Sequence, residues 1–294
     1  MNILITGASG FIGNSIFNYI KKYNFNVTCI GTKNEQLISD CQFFDYKTFD
    51  YKTFSDKIDI VFHQAANNET QLNDKKIMLY DNYYYPCKFF NHLYNNGCRK
   101  FIYASSCAVY GNAVVPYLES DVNLKPLTYY GLSKKMFDDF AMNFYEDATV
   151  IGLRYSNVYG PNEGHKRNRA SMIYQIINKI KNNSNVVLFK DGTQQRDWIH
   201  IDDVVKANLQ CVSLSDCKEI INCGSGVSVS FNDIIEIVSK HYDWTGKVDY
   251  IDNKIQKTYQ NNTCCDNSKL IELLEFIPDN VEVGIDKTIK AMSL

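Results

Sequence analysis

Tyr130 and Lys134 stand four residues apart in the stretch LTYYGLSK, so on a helix both side chains fall on one face. A lysine ammonium beside a phenol favours the phenolate and brings tyrosine towards usable general acid/base range. Upstream, KFIYASS reads as a strand, and its last residue, Ser106, can hydrogen-bond the same reacting oxygen. A Tyr-x-x-x-Lys spacing alone is met equally well by an ordinary surface pair. What sets this one apart is its company: a strand ending Ser-Ser before it and a glycine turn at the amino end of the chain.

That turn lies in MNILITGASGFIG, where Ile3, Leu4, Ile5 and Thr6 run without a charge into Gly7, Gly10 and Gly13. A short apolar run closed by glycines reads as a buried parallel strand feeding a turn. Helix-compatible spacing of Ile16, Phe17 and Ile20 follows, from Asn14 to about Tyr23. Strand, glycine turn and helix make the dinucleotide fingerprint, here spaced G-x-x-G-x-x-G. Gly7 allows the tight turn, Gly10 lets backbone N–H groups approach a pyrophosphate, and Gly13 lets helix and strand pack closely. The helix N-terminus then offers unsatisfied donors and a favourable dipole to the phosphate.

Chemistry of this kind needs a scaffold, and 294 residues suffice for one large or two modest domains with a real core. Apolar content of 45% and aromatic content of 14% belong to a globular protein, and a net charge of −2 gives no reason to propose nucleic acid or a membrane surface as partner. Met1 enters a core strand almost at once, which leaves no room for a signal peptide, and no apolar run is long enough to span a bilayer; a cytoplasmic protein is expected. The ten cysteines are scattered, with no C-x-x-C and no Cys/His cluster at metal spacing, so reduced thiols and no metal are expected.

Further strands are predicted at Asn26–Ile30, Cys41–Asp45, Asp59–Ala66, Lys100–Ser106 and Val150–Tyr155, alternating with helical segments. This is the pattern of a doubly wound parallel α/β sheet, a Rossmann fold. The acid that usually meets the adenosine ribose at the end of the second strand is absent: Gly31, Thr32 and Lys33 stand there. With no carboxylate to repel a 2′-phosphate and a cation at hand, NADP is favoured over NAD, although Lys33 is also readable as a solvated loop lysine. Asp45, closing the third strand, could meet the adenine amine, and the small Ala65 and Ala66 let a cofactor lie close over the sheet edge. His63 reads as a packed structural histidine. Tyr83–Tyr85 with Phe89 and Phe90 reads as an aromatic packing helix.

Beyond Pro161 the pattern changes to a smaller α/β substrate domain, with residues 1–158 forming the first domain and 159–294 mainly the second; a segment around 195–215 is expected to return to the first. Here the expected elements are a helix Met172–Ile180, a strand Val186–Phe189 and a strand through QRDWIHIDDV whose Asp202 and Asp203 cap the next helix. Another strand and turn follow at INCGSG, then a helix opened by Ser230 and a last helix Ser268–Leu274.

Taken together, TGASGFIG, FHQAA, YASSCAVYG, YYGLSK, LRYSNVYGP, RDWIHIDDV and NCGSG resemble the extended short-chain dehydrogenase/reductase family of nucleotide-sugar epimerases and dehydratases over the whole chain. The resemblance implies Ser106, Tyr130 and Lys134 as the catalytic trio. It places cofactor contacts at Gly7, Ser9, Gly10, Phe11, Ile12, Gly13, Lys33, Asp45, Gln64, Ala65, Ala66, Asn82, Tyr130, Lys134 and Val158, and substrate contacts at Asn157, Asn168, Gln175, Phe189, Arg196 and Tyr259. Arg196 suits a diphosphate, since its planar fork pairs two oxygens at once. Cys107-Ala108 after the serine lacks the acidic residues that dehydratases and decarboxylases of the family carry there, so an epimerase is implied.

Within the family, KPLTYYGLSKKMFDDF, NVYGPNEGHK and KTYQ are most similar to the ADP-heptose 6-epimerases. Those oxidise a sugar carbon and return the hydride to the opposite face. By this resemblance Tyr130 serves one face and Lys166 the other, with a phosphate contact as the alternative role for Lys166. The resemblance also implies a homo-oligomer, with the aromatic helix and the Tyr130 helix paired across a two-fold axis. Ser156 stands where an aromatic is usual, Gln175 where a histidine is usual, and Thr258 replaces an arginine, so another sugar or base is open. A 4-epimerase or 4-reductase on another nucleotide-sugar, or a non-catalytic cofactor-binding sensor, are the other readings. Retention of all three catalytic residues argues against the sensor.

Overall fold

The computed structural model describes the chain except residues 33–39, 71, 254–257 and 294, and it divides into two compact units. Twelve strands are described. In chain order they are β1 (Asn2–Thr6), β2 (Asn26–Gly31), β3 (Gln42–Asp45), β4 (Ile60–His63), β5 (Lys100–Ser106) and β6 (Thr149–Tyr155), then β7 (Asn157–Tyr159), β8 (Val186–Phe189), β9 (Gln195–His200), β10 (Lys218–Cys223), β11 (Ser228–Ser230) and β12 (Val248–Ile251).

One unit is built from Met1–Asn112, Asp121–Tyr155 and Val205–Ile221. Its sheet has the order β10-β6-β5-β4-β1-β2-β3, with every pair from β6 to β3 parallel. From β1 the chain winds outward first through β2 and β3, then returns to β4 on the other side. The order therefore reverses between β1 and β4, and the carboxyl ends of strands at such a switch point are where open α/β sheets hold ligands. The inner strands β1, β4, β5 and β6 are buried on both faces, as their unbroken apolar runs require: Leu4, Ile5, Val61, Phe101, Ile102, Val150 and Leu153 are all enclosed. Against them packs an aromatic core of Phe89, Phe90, Phe101, Tyr103, Phe137 and Phe144, each ring worth roughly 2–3 kcal/mol on burial.

The other unit comprises Ala113–Ser120, Ser156–Val204 and Asn222–Leu294. A three-stranded sheet β11-β9-β7 and a two-stranded sheet β12-β8 carry the helices Met172–Lys181, Phe231–Ser239 and Val281–Ala291. Their isoleucines, among them Ile173, Ile176, Ile177, Ile180, Ile234 and Ile285, close around Trp198. Ser230 opens the Phe231–Ser239 helix through a capping box with Asp233.

Several expectations need correction. The strand through QRDWIH stops at His200, and Asp202 and Asp203 lie inside the first turn of the helix Ile201–Gln210 rather than capping it. There their charge suits the helix dipole, and Asp203 also accepts the backbone N–H of Asp279. Strand β9 stays in the second unit, so the returning segment is Val205–Ile221 and not 195–215, and the chain changes units at Tyr155–Ser156. The first helix is Phe11–Ile20, starting directly on the glycine turn, and the aromatic helix begins at Lys75 and reaches Asn95 through a π-helical turn at Tyr80–Tyr84. On that helix Phe89 and Phe90 face the core, and Ile77, Tyr80 and Tyr84 remain exposed.

His63, at the end of β4, is buried against Phe90 and Phe137, with Nδ1 2.7 Å from the Thr6 hydroxyl. Burial, helped by the charge of Lys134, pushes its pKa down to about 3. A histidine depressed in the fold contributes stability fully above its unfolded value near ~6.5, and that contribution is lost as pH falls towards about 3. Denaturant unfolding between these limits should show wild-type stability falling with a slope of up to ~1.4 kcal/mol per pH unit that His63→Asn lacks. Equal slopes in the two proteins would contradict this.

Candidate active site

The turn after β1 is organised as its glycines predict. Gly7 sits at φ +68°, where L side chains are strained, and a Cβ there would also come within 2.7 Å of the Ala65 nitrogen. A Cβ at Gly13 would meet the carbonyl carbon of Gly7 at 2.8 Å. Gly10 is the N-cap of the Phe11–Ile20 helix, so the cap position brings no side chain of its own, and no acid stands in the first turn. A helix start with a glycine cap and no carboxylate in its first turn, seated at the switch point, fits a dinucleotide pyrophosphate. The three glycines, Ser9, Phe11 and Ile12 all lie in this turn and the helix start that follows it.

At the end of β2 the backbone carbonyl of Gly31 accepts from Tyr46, and Ser9 Oγ accepts from Thr32 N at 2.9 Å. A Cβ on Gly31 would approach Ser9 Oγ to 2.7 Å. Thus no acidic side chain fits at this position without displacing Ser9. Lys33 lies outside the described residues. Asp45, in register with Gly31, is half-buried and accepts from Lys47 N at 3.0 Å.

Ser106, Tyr130 and Lys134 are brought together in the first unit. Ser106 ends β5, caps the following turn by accepting from Ala108 N, and hydrogen-bonds the Tyr130 hydroxyl. The helix Tyr129–Met142 is started by Thr128, whose side chain accepts from Gly131 N. One turn on, Lys134 is buried and donates from Nζ to the Ala104 carbonyl at 2.8 Å, its Nζ standing 5.9 Å from the Tyr130 ring centre.

Here the electrostatics differ from the expectation of a lysine-lowered phenol. Burial pushes the Tyr130 phenol above its ordinary value, with the Ser106 hydrogen bond pulling the other way. Burial likewise pushes Lys134 down to about 8, opposed by Asp138 one further turn along the helix. The sequence reading passed over Asp138. It forms a buried ion pair with Arg154 at 2.9 Å, accepts from Tyr103 at 3.0 Å, and Arg154 donates on to Tyr110. The signal was available, since Tyr130, Lys134 and Asp138 repeat every four residues along one helical face.

Two of the expected cofactor contacts have side chains engaged elsewhere. Gln64, Tyr155 and Asn208 close a ring of three hydrogen bonds at 2.8–3.1 Å. Asn82, in the π-helical turn, binds the backbone of Asn67 in both directions and donates to Ser133, the neighbour of Lys134. It therefore pins the segment after Ala65 and Ala66 to the Tyr130 helix. π-Turns gather at functional sites for this kind of reason.

In the second unit Phe189, Arg196 and Tyr259 converge. Arg196 is buried, its guanidinium 4.8 Å from the Tyr259 ring centre and 5.5 Å from that of Phe231, while Phe189 meets Tyr259 edge-on. Nη1 donates to the carbonyls of Gln195 and Asn261, and among the described residues no carboxylate forms an ion pair with it. Burial holds the guanidinium below its ordinary value. A buried cation without a counter-ion is costly, and an anionic ligand would supply one.

Asn157 and Val158 pair with Trp198 and Ile199 in the β7–β9 ladder. Gln175 donates to the Ala170 carbonyl at 2.7 Å, and Asn168 lies in the short helical turn Gly164–Arg169. Lys166, in the same turn, forms a 2.6 Å ion pair with Glu163, a fully buried residue that the motif EGHK contains but the sequence reading did not single out.

Among the described residues no group of three or more His, Cys, Asp or Glu could hold a metal, and no helix is long and apolar enough to cross a membrane. The chain is 32% identical to an ADP-L-glycero-D-manno-heptose-6-epimerase of Brachyspira hyodysenteriae, over 91% of this chain and 90% of the relative. Among solved structures it resembles the Helicobacter pylori ADP-L-glycero-D-manno-heptose-6-epimerase, with TM-score 0.88, 28% identity and 99% and 96% of the two chains covered. A UDP-N-acetylglucosamine 4-epimerase from Methanobrevibacter ruminantium is as similar, with TM-score 0.88 and 28% identity over 99% and 98%. The profile of the NAD-dependent epimerase/dehydratase family matches residues 3–224. The chain, a doubly wound α/β protein of the extended short-chain dehydrogenase/reductase type, belongs to that family of NAD(P)-dependent nucleotide-sugar epimerases.

Proposed function

We propose that the chain is an NADP-dependent nucleotide-sugar epimerase that oxidises one secondary alcohol of its substrate to a ketone and reduces it on the opposite face, with an ADP-linked heptose epimerised at C6 as substrate. The observation that carries this reading is the set of Ser106, Tyr130 and the buried Lys134, on the same parallel sheet that ends its first strand in the glycine turn. Gly7, Gly10 and Gly13 with the start of the Phe11–Ile20 helix would hold the pyrophosphate, and Ala65 and Ala66 would flank the nucleotide. When bound, the nicotinamide supplies a hydride acceptor and donor. Tyr130 takes the hydroxyl proton from one face, Ser106 orients it, and Lys134 fixes the local charge. Lys166 serves the other face. Arg196, stacked on Tyr259, pairs the diphosphate through its two-pronged fork.

NADP is favoured by the space at Gly31, which excludes the acid that would repel a 2′-phosphate. A homo-oligomer is favoured by Ile77, Tyr80 and Tyr84, exposed together on one helix; light scattering that reports a monomer would overturn it. Scattered cysteines, read as reduced thiols, go with a cytoplasmic setting.

A second reading is a 4-epimerase on a UDP-hexose. It is supported by Ser156 and Gln175, which stand at substrate positions yet turn their side chains to Asp197 and to the Ala170 carbonyl. The deciding experiment incubates purified protein with each ADP-heptose epimer, with UDP-glucose and with UDP-N-acetylglucosamine, each in the presence of NADP or NAD, and identifies products by NMR. Interconversion of the heptose pair with tighter calorimetric binding of NADP is the expected result. Turnover of UDP-hexoses alone selects the second reading, and stoichiometric NADPH consumption makes the protein a reductase.

A further inference from the structure

The segment from Gly160 to Ser171 is wrapped around one side chain. Glu163 is fully buried, and its carboxylate accepts four hydrogen bonds: Gly160 N at 3.2 Å and Ser171 Oγ at 2.6 Å on one oxygen, Ser171 N at 2.7 Å and Lys166 Nζ at 2.6 Å on the other. A carboxylate has about four lone-pair positions, so this one is saturated. Three of the four donors belong to the loop and to the start of the Met172–Lys181 helix, which Ser171 caps. The carboxylate is thus anchored independently of the lysine. Around it the backbone turns through Asn162 at φ 66°, which asparagine tolerates, and Arg167 at φ 51°, ψ −124°, a conformation an arginine keeps only when its surroundings impose it.

Lysine is ill suited to precise placement, because four rotatable bonds carry its charge and its entropy is lost only if something fixes the end. Here the end is fixed by a short, charge-assisted contact to an immobile partner. We propose that Glu163 is the positioning residue for Lys166, a buried anchor that sets where the second acid/base ammonium stands. This rests on the reading of Lys166 as the group serving the face opposite Tyr130. Glu163 itself touches no reacting atom.

The test separates positioning from mere loop support. E163Q is compared with wild type, with K166M and with S171A, which loosens the same carboxylate without removing its charge. Each is incubated with one ADP-heptose epimer at a time, and two quantities are followed: net interconversion, and single-turnover reduction of the bound nicotinamide. E163Q should lose roughly ten- to a hundredfold in net interconversion, the scale of an ångström-sized misplacement of a catalytic group. Nicotinamide reduction by the epimer that Tyr130 serves should stay near wild type. In parallel, reductive methylation with formaldehyde, read by peptide mass spectrometry on the cofactor-free protein, should label Lys166 several-fold faster in E163Q.

S171A, which weakens the anchor but leaves its charge, should show the same asymmetry to a smaller degree; a uniform fall in both rates in E163Q, or unchanged Lys166 labelling, would overturn the proposal. Should E163Q not fold, E163D, which keeps the charge and shortens the reach, is read in the same way. If K166M itself interconverts both epimers normally, the reading of Lys166 fails instead. If K166M is blocked while E163Q is not, only the role of Glu163 fails.

Discussion

Replacing Tyr130 with phenylalanine is expected to lower turnover by about a hundredfold or more, the usual worth of a positioned acid/base group, while cofactor binding survives. The substitution removes one oxygen and leaves the ring, so the packing of the Tyr129–Met142 helix is kept. It also leaves Lys134 in place, because that ammonium is held by the Ala104 carbonyl and not by the phenol. Ser106 keeps its bond from Ala108 N. What disappears is the phenol oxygen that bonds to Ser106, and with it the group that would exchange a proton with the reacting oxygen of the substrate. Turnover is measured with the substrate pair identified by NMR, and binding by calorimetry with NADP. Near-normal turnover would remove Tyr130 from the mechanism, whereas lost binding would show that the residue holds cofactor and nothing more.

The first unit was largely legible in the sequence, because its information is local. Apolar runs ending in small residues mark buried parallel strands, and Lys100–Ser106 and the glycine turn were placed as the structure has them. The shared helical face of Tyr130 and Lys134 follows from their spacing, and their grouping with Ser106 is what the family resemblance implies. What could not be read was the balance of effects on Tyr130. The lysine is near in sequence, but burial is a property of the whole fold, and it wins. Nor could the pairing of Asp138 with Arg154 be seen, since the two residues belong to a helix and a strand that meet only after folding.

The second unit was less legible for a related reason. Strands of three or four residues such as β7, β11 and β12 are too short to show a period, and they exist because neighbouring strands pair with them. Asp202 and Asp203 look like caps in isolation; only the position of His200 in the β9 ladder shows that the helix has already begun beside them. Glu163 was visible three residues before Lys166. An i, i+3 acid–base pair, however, is most often a solvated one, and nothing local says that this glutamate is buried.

Lys166→Met is the sharper of the two large-effect substitutions, because it separates an epimerase from a simple reductase. Epimerisation requires proton transfer on both faces of a carbonyl, and a phenol fixed by Ser106 serves one of them. Methionine keeps most of the aliphatic stem and removes the charge. Glu163 loses one of four donors but retains Gly160 N, Ser171 N and Ser171 Oγ, so the loop keeps its anchor and the fold is little disturbed. Net interconversion is therefore expected to fall by about a hundredfold or more. The epimer that presents its hydroxyl to Tyr130 should still be oxidised, seen as reduction of the bound nicotinamide without appearance of the other epimer. Starting from the opposite epimer, neither signal should appear. If both epimers interconvert at the wild-type rate, Lys166 is a phosphate contact, and the second acid/base group must be sought among the other polar side chains of the second unit.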